Sequence, residues 1–250
     1  MLFRSVNITF PHSKLLSYPG GDAGIDATYG PGFAIGRPIT VTGLYKYDGV
    51  DPATGKYFFT NAKGVTGPFL FPAILNVNEP NTDRTQYIDL APRFYGGIGN
   101  TLRYKQFTLD FFFTFTDWMA SNYQGQQVLQ PGVFNLNAPT EVLKRWRKPG
   151  DKSKFPAATT GIDAFFSQSD FVYSTGAYSN ATYARLANVN LAYHFTPHAL
   201  QKWHLTAMNI YLAGQNLLTV TRFRDLDPEN QGQGTIGPLR IFTGGFNISF

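Results

Sequence analysis

The feature of this sequence that most constrains its fold is an alternation of apolar and polar residues with a period of two. Such alternation places successive side chains on opposite faces of a β-strand. We identify seven candidate strands, four clear and three weaker: 105–118, 183–195, 205–220 and 242–250, then 2–10, 38–50 and 92–104. Most are near or above the ~9–11 residues that a tilted strand needs to cross a bilayer, whereas strands of soluble domains have about 5–6. The sequence therefore predicts an all-β fold, an antiparallel transmembrane β-barrel.

The composition is consistent with that prediction. Charged residues make up 15% of the chain, below the roughly 25% of an ordinary soluble domain, and aromatic residues reach 16%. Few charges and many aromatic residues suit a sheet with one face against lipid. There is no cysteine, and no run of about 18 apolar residues that would form a transmembrane helix. Lysines and arginines are scattered and the net charge is only +5, which argues against nucleic-acid binding.

The connections between the candidate strands alternate in length. Short joins are expected near 104–105 and at 196–204, and long ones at 51–91, 117–182 and 221–238. Outer-membrane barrels have short periplasmic turns and longer extracellular loops, so this sorting favours such a barrel. The exception is 11–37, which would be a long connection on the periplasmic side if 38–50 is a barrel strand.

Seven strands are an odd number and leave two unpaired sheet edges, which lipid does not tolerate. The first ten residues also alternate and lack the continuous apolar core of a signal peptide. We therefore expect residues 1–250 to be the C-terminal part of a larger plugged barrel, about seven to eight strands, with the plug domain and signal peptide absent. The alternative is a missed strand, at 56–60 or 170–173, that closes a small self-contained barrel.

Several segments, in order along the chain, resemble the SusC/RagA group of TonB-linked outer-membrane transporters. They are 43–50 (GLYKYDGV), 92–97 (PRFYGG), 142–146 (VLKRW, a short loop helix), 183–193 (YARLANVNLAY), 210–219 (IYLAGQNLLT) and the Asp227-Pro228-Glu229 turn. The resemblance implies the last third of a barrel of about 22 strands in the outer membrane of a Gram-negative bacterium. It implies uptake of a nutrient such as a glycan or peptide fragment. The implied partners are outer-membrane lipid, a SusD-like lipoprotein lid, and the TonB complex acting through the N-terminal part that this chain lacks.

Candidate functional residues follow from the same pattern. The resemblance makes the terminal Phe250, with Phe246 and Ile248 on its face, a candidate barrel-assembly signal. Residues that would face the lumen or a ligand are Asn209, Tyr211, Gln215, Tyr178 and Trp146. Aromatic residues of the long connections, among them Phe171 and Tyr173, are expected to pack the loops together, or else to stack on a sugar or peptide.

We expect no catalytic, cofactor or metal site. Pro197 places His194 and His198 across a turn, and residues 225–230 lack the glycine and distant glutamate of a calcium loop. No nucleophile, P-loop or zinc-protease motif occurs, which argues against an enzyme. Two other functions stay open: a soluble carbohydrate-binding β-sandwich, and a self-contained small outer-membrane barrel whose first and last strands pair.

Overall fold

The computed structural model describes residues 2–29, 33–68, 83–127, 131–132, 137–224, 227–230 and 236–250. The strands are β1 (Leu2–Thr9), β2 (Val41–Leu44), β3 (Lys46–Val50), β4 (Tyr57–Thr60), β5 (Thr66–Gly67), β6 (Gln86–Asp89), β7 (Phe94–Tyr104), β8 (Phe107–Asp117), β9 (Met119–Ser121), β10 (Tyr178–Asn180), β11 (Tyr183–His194), β12 (Ala207–Thr221) and β13 (Ile241–Ser249). The helices are α1 (Gly21–Tyr29), α2 (Tyr123–Gln127), α3 (Ile162–Val172) and α4 (Pro197–Leu200), with 3₁₀ turns at Thr140–Lys144, Thr175–Ala177 and Gln201–Trp203. Within these ranges no helix is long and apolar enough to cross a membrane.

Six long strands form one antiparallel sheet in the order β1-β7-β8-β11-β12-β13. Each strand pairs with the long strand before and after it along the chain, so the sheet is a meander. The pairing is continuous over most of each strand; β7 and β8, for example, are in register from Phe94↔Asp117 to Tyr104↔Phe107. The length and antiparallel order predicted from the alternation are therefore present in these six strands.

Every long connection lies at one end of this sheet. We call them loop 1 (residues 10–93), loop 2 (118–182) and loop 3 (222–240), and we call this end the loop end. The short connections, 105–106 and 195–206, lie at the opposite end, the turn end. The predicted long connection 11–37 at the turn end does not exist, because it forms part of loop 1. The sorting of connections by length is consequently complete among the six strands.

The prediction of a barrel strand at 38–50 is wrong. The segment is divided at Tyr45: β2 pairs with β6 in a two-stranded sheet, and β3 pairs with β4 in a three-stranded sheet. At the division the backbone N–H of Tyr45 donates to the carbonyl of Tyr173, and the carbonyl of Tyr45 accepts from the N–H of Thr175. Both Leu44 and Tyr45 are buried, which a strand with one face in lipid does not allow. The main sheet thus has six described strands rather than seven.

The two alternative positions for a missed strand also lie outside the main sheet. Residues 57–60 do form β4, but within the described ranges β4 pairs with β3 and β5 alone. Residues 170–172 belong to the last turn of α3 and Tyr173 follows its end, so this segment is helical rather than extended. Neither segment closes the sheet, and β1 and β13 are its two edges.

The main sheet has one apolar and one polar face. Side chains of the apolar face remain exposed although they are large: Val6 (68%), Leu212 (67%), Phe242 (77%) and Phe246 (67%) are examples. On the opposite face most cross-strand neighbours are small or polar, for example Thr101↔Asp110 and Asp110↔Asn190, and Phe112 between Gly99 and Asn188 is an apolar exception. A soluble sheet buries its apolar face and exposes its polar face, so this distribution is inverted.

Aromatic side chains border the apolar face at both ends. At the loop end Phe94 lies 6.0 Å from Phe10 and 6.2 Å from Phe115, measured between ring centroids. At the turn end Tyr193 lies 5.0 Å from both Phe107 and Phe195. Ten residues of β7 separate the two belts, which is about 33 Å along a strand and about 23 Å along the membrane normal at a 45° tilt. This height fits the apolar band of about 25 Å in outer-membrane barrels.

Candidate binding face and loop cap

A groove of about 560 Å³ crosses the polar face. Its walls carry hydrogen-bond donors and acceptors, and among them are one cationic and one anionic side chain. These groups belong to Arg103, Asp110, Asn190, His194, Asn209 and Tyr211. Two wall contacts hold side chains in place: Asn247 Nδ2 donates to Asn209 Oδ1 at 3.0 Å, and the hydroxyl of Thr101 donates to Asp110. Such a surface suits a polar ligand or a polar protein segment rather than lipid.

Three of the residues predicted to face the lumen lie on this polar face, all in β12. Asn209 and Tyr211 line the large groove, and Gln215 lines a neighbouring recess of about 290 Å³. Gly245 is the cross-strand partner of Tyr211, and a Cβ atom there would lie 2.5 Å from the Tyr211 hydroxyl oxygen. Because Gly245 has no side chain, the Tyr211 ring can lie against this part of the groove wall. A role of these three residues in cargo binding stays a prediction.

The other two residues predicted to face the lumen, Trp146 and Tyr178, lie elsewhere. The Trp146 indole Nε1 donates to the carbonyl of Pro52 at 2.9 Å, and a Cβ atom at Gly55 would lie 2.5 Å from the indole ring. Tyr178 packs against a buried aromatic cluster. Both side chains connect loop 2 to loop 1. They therefore pack the two loops together, which is the alternative to stacking on a ligand. The short helix predicted at 142–146 is the 3₁₀ turn Thr140–Lys144, which ends before Trp146.

The packed parts of loops 1 and 2 form a folded unit that we call the loop cap. Its core is the buried cluster Tyr45, Tyr57, Phe59, Phe171 and Ala177. The Phe171 ring stacks on Tyr57 at 4.5 Å with an interplanar angle of 15°, and it meets Tyr47 edge-on at 5.1 Å. Tyr45, Tyr47, Tyr57 and Phe59 come from loop 1, whereas Phe171 and Ala177 come from loop 2. The two loops therefore fold together.

Two tyrosines of the loop cap carry hydroxyl groups in an apolar setting. Burial raises the pKa of Tyr57 well above its ordinary value, although a hydrogen bond from Gln124 opposes the shift. Burial likewise raises the pKa of Tyr47. The Gln124 amide donates to the Tyr57 hydroxyl oxygen at 3.2 Å and also to the carbonyl of Lys154 at 2.9 Å. Both tyrosines are accordingly neutral in the folded cap.

We expect the loop cap to lose stability in alkaline solution. Because the pKa of each tyrosine is raised in the folded state, its contribution to the free energy of unfolding is fully present below about pH 10, the pKa of tyrosine in the unfolded chain. Above that pH the contribution is lost at about 1.4 kcal/mol per pH unit. Hydrogen exchange of cap peptides between pH 8 and 11, corrected for intrinsic rates, measures this. Tyr57→Phe should flatten the dependence, whereas Tyr173→Phe, at a half-exposed site, should leave it unchanged. Equal slopes in all three proteins would contradict the expectation.

Asp117 fixes the loop end of β8. Its carboxylate lies 2.9 Å from Arg93 Nη2 and also accepts from the hydroxyl of Thr182, while its carbonyl accepts from the Arg93 backbone N–H at 2.7 Å. These contacts connect the start of β7, the end of β8 and the start of β11. They hold the rim of the sheet from which loops 1 and 2 depart.

Arg185 is a functional candidate that the sequence interpretation missed. It is 2% exposed, and its Nη2 lies 2.6 Å from Asp227 Oδ2 and its Nη1 2.9 Å from Glu229 Oε2. The sequence shows Arg185 in one segment and the Asp227-Pro228-Glu229 turn in another, 42 residues apart, and no periodicity connects them. The carboxylates of this turn bind a guanidinium group. In the described ranges no group of potential ligands could hold a metal ion.

The candidate assembly signal lies on the apolar face. Phe250, Phe246 and Ile248 are 95%, 67% and 42% exposed at the turn end of the sheet. Their position beside β12 follows from the register Ile210↔Phe246 and Met208↔Ile248. Recognition of these residues by an assembly machinery stays a prediction.

Comparisons with known proteins agree with this geometry. No model of a known protein family matches the chain. The chain is 28% identical over 183 residues to TonB-dependent receptor P3 of Formosa agariphila, covering 67% of this chain and 17% of the relative. It is 30% identical over 186 residues to TonB-dependent receptor P26 of the same organism, covering 64% and 17%. The chain is similar to TonB-dependent receptors. It spans about one sixth of the length of these relatives.

Solved structures give the same result for the fold. The RagAB peptide importer in the open-open state superposes with a TM-score of 0.72 at 20% identity, over 100% of this chain and 26% of that chain. A second RagAB peptide transporter structure gives 0.70 at 21% identity, over 100% and 27%. The SusC/RagA-type resemblance and the fold class predicted from the sequence, an antiparallel transmembrane β-barrel, are confirmed; the chain superposes on about a quarter of these longer barrel proteins. By their names these relatives are receptors and importers rather than enzymes.

Proposed function

We propose that this chain supplies strands and long loops to an outer-membrane TonB-dependent importer of a Gram-negative bacterium. The observation that carries the proposal is the inverted main sheet, with an exposed apolar face between two aromatic belts and a polar, grooved face behind it. Lipid is the solvent that an apolar face of this height requires. In this proposal the polar face lines the passage. The similarity to TonB-dependent receptors indicates that the TonB complex provides the energy for import.

The nutrient that best fits the proposal is a glycan or peptide fragment. The groove offers amides, hydroxyls and one side chain of each charge, which can bind the polar groups of either class. The structural relatives are described as peptide importers, which favours peptides. We propose that the chain is the C-terminal part of its barrel, and that TonB acts through a plug domain outside residues 1–250.

The loop cap supports a lid partner in this proposal. Loops 1 and 2 fold into one unit at the loop end, which a lipoprotein of the SusD type would contact from outside the cell. Energised import in this arrangement needs no bond chemistry from the chain. It needs a ligand held at the loop end and released through the polar passage.

The two other functions considered from the sequence are less consistent with the structure. A soluble β-sandwich would cover its apolar face with a second sheet, yet Leu212, Phe242 and Phe246 are each at least 67% exposed. A self-contained small barrel would pair its first and last strands, yet β1 and β13 are opposite edges of the sheet.

Fractionation and uptake in the native bacterium test the proposal. We expect the protein in the outer-membrane fraction, soluble only with detergent, and with a gel mobility that changes on boiling. Cells lacking its gene should lose uptake of fluorescent oligopeptides or of fluorescent oligosaccharides, and loss of TonB should abolish the same uptake. Recovery in the soluble fraction, or uptake that persists without TonB, would contradict the proposal. The comparison of the two labelled substrates identifies the cargo class.

A further inference from the structure

The described turn at 227–230 of loop 3 lies over the polar face of the sheet. Arg185 pairs with Thr114 and Thr219 in the neighbouring strands, and this register places its side chain on the same face as Asp110 and Asn190. The carboxylates of Asp227 and Glu229 in loop 3 reach the guanidinium on that side. The turn at 227–230 therefore lies over the polar face at the loop end, rather than outside the rim.

Polar contacts hold this turn at several points. Besides the two carboxylates on Arg185, the Asp227 side chain accepts from the N–H of Glu229 at 3.0 Å, which fixes the turn itself. The Trp118 indole donates to the carbonyl of Pro228 at 3.1 Å and to that of Ala181 at 3.1 Å.

Apolar packing contributes much less to loop 3 than to loops 1 and 2. In its described part Phe223, packed with Ala120 and Ala181, and Pro228 are buried, whereas Ile236 and Leu239 are 84% and 70% exposed. Segments with few buried apolar contacts open more readily than packed cores. In the described part of loop 3, the turn at 227–230 is therefore held mainly by its polar contacts with Arg185 and Trp118.

We propose that Arg185 is a latch that holds the 227–230 turn over the polar face, so that this turn narrows the passage at the loop end and its release widens the passage. Arg185 is a positioning residue in this device, since it acts through the loop. Its guanidinium is buried, so removal of the charge leaves two carboxylates without their partner. The Glu229 side chain is 53% exposed. The Arg185–Glu229 pair can therefore break first while Asp227 remains bound to Arg185. The existence of this passage rests on the proposed function, whereas the contacts of Arg185 and their test need neither TonB nor cargo.

Accessibility of the polar face beneath loop 3 tests the latch. The chain has no cysteine, so Thr219→Cys, opposite Arg185 on that face, introduces one reporter thiol in the full-length protein. Its rate of modification by a maleimide carrying a polyethylene glycol chain is measured in detergent. We expect Arg185→Gln to raise this rate at least about tenfold, because breaking a buried ion pair has large effects. Glu229→Gln should raise it by a smaller factor.

Arg93→Gln is the matched control. It removes another arginine–carboxylate pair of the same rim, Arg93 with Asp117, which does not touch loop 3. We expect it to leave the modification rate unchanged. An unchanged rate in Arg185→Gln, or an equal rise in Arg93→Gln, would overturn the proposal. If Arg185→Gln fails to fold, Glu229→Gln is the deciding variant, because the Glu229 carboxylate is half exposed and its loss should not unfold the protein. A higher modification rate in folded Glu229→Gln supports the latch. An unchanged modification rate refutes it.

Discussion

Replacement of Val189 by arginine is expected to lower the amount of folded protein in the outer membrane about tenfold or more. Val189 is in the middle of β11, on the apolar face, between Phe111 and Gly214 of the adjacent strands. A cationic side chain at the middle of a lipid-facing strand costs about 2–4 kcal/mol, and 1.4 kcal/mol corresponds to a factor of ten. In water the same substitution at a partly exposed strand position would cost much less.

The next residue along the strand is the matched control. Asn190 lies on the polar face and lines both the groove and the recess beside it. Asn190→Arg adds the same charge and nearly the same volume one position away, on the side that the proposal assigns to the water-filled passage. We expect near-normal assembly, measured as heat-modifiable protein in outer-membrane fractions. Equal effects of the two substitutions would contradict the assignment of the apolar face to lipid.

Removal of the Phe171 ring is expected to unfold the loop cap and leave the main sheet intact. Phe171 is fully buried, stacks on Tyr57 and contacts Tyr47. Truncation of a buried phenylalanine to alanine costs about 3–5 kcal/mol. This is a large share of the free energy that stabilises two loops around one small core. Because β7, β8, β11 and β12 are stabilised by their own pairing, the loss should stay local.

Hydrogen exchange by mass spectrometry distinguishes local from global loss. Peptides that cover β3, β4 and α3 should lose protection in Phe171→Ala by about two orders of magnitude, and peptides of β8 and β11 should keep theirs. Leu143→Ala, at a site 63% exposed in the same cap, is the control and should change little. Loss of protection throughout the sheet would show that the cap and the barrel strands form one cooperative unit.

The residues of the cap also show why side-chain type alone misplaces a site. Trp146 and Tyr178 are aromatic residues in long loops, a pattern that fits both ligand stacking and packing between loops. Gly55 and the carbonyl of Pro52 decide the matter for Trp146, and both belong to the other loop. Asn209, Tyr211 and Gln215 lie on the polar face, as the alternation predicts, because in a regular strand position alone determines the face; their role in the lumen stays a prediction.

A similar local ambiguity explains the error at 38–50. Alternation with a period of two indicates a strand, but it is the same for a strand that crosses lipid and for one in a small sheet above it. The division at Tyr45 depends on Tyr173 and Thr175, about 130 positions away. The register shift in the pairing of β11 with β12, between Leu186 and Asn188, has no signal in the sequence for a related reason: Asn216 of β12 adopts a positive φ of 53°, which asparagine tolerates, and the apolar pattern continues past it.

Side-chain alternation sufficed to predict the six long strands and their apolar and polar faces, and, apart from 38–50 and 11–37, the sorting of long and short connections to opposite ends. These properties depend on side-chain periodicity and on the spacing of turns, which are local and can be read residue by residue. The aromatic core shared by loops 1 and 2, and the binding of Asp227 and Glu229 by Arg185, arise only in the folded chain. Those contacts join residues distant in the chain, and their free energy arises from burial and charge pairing that exist only once the sheet brings the loops together.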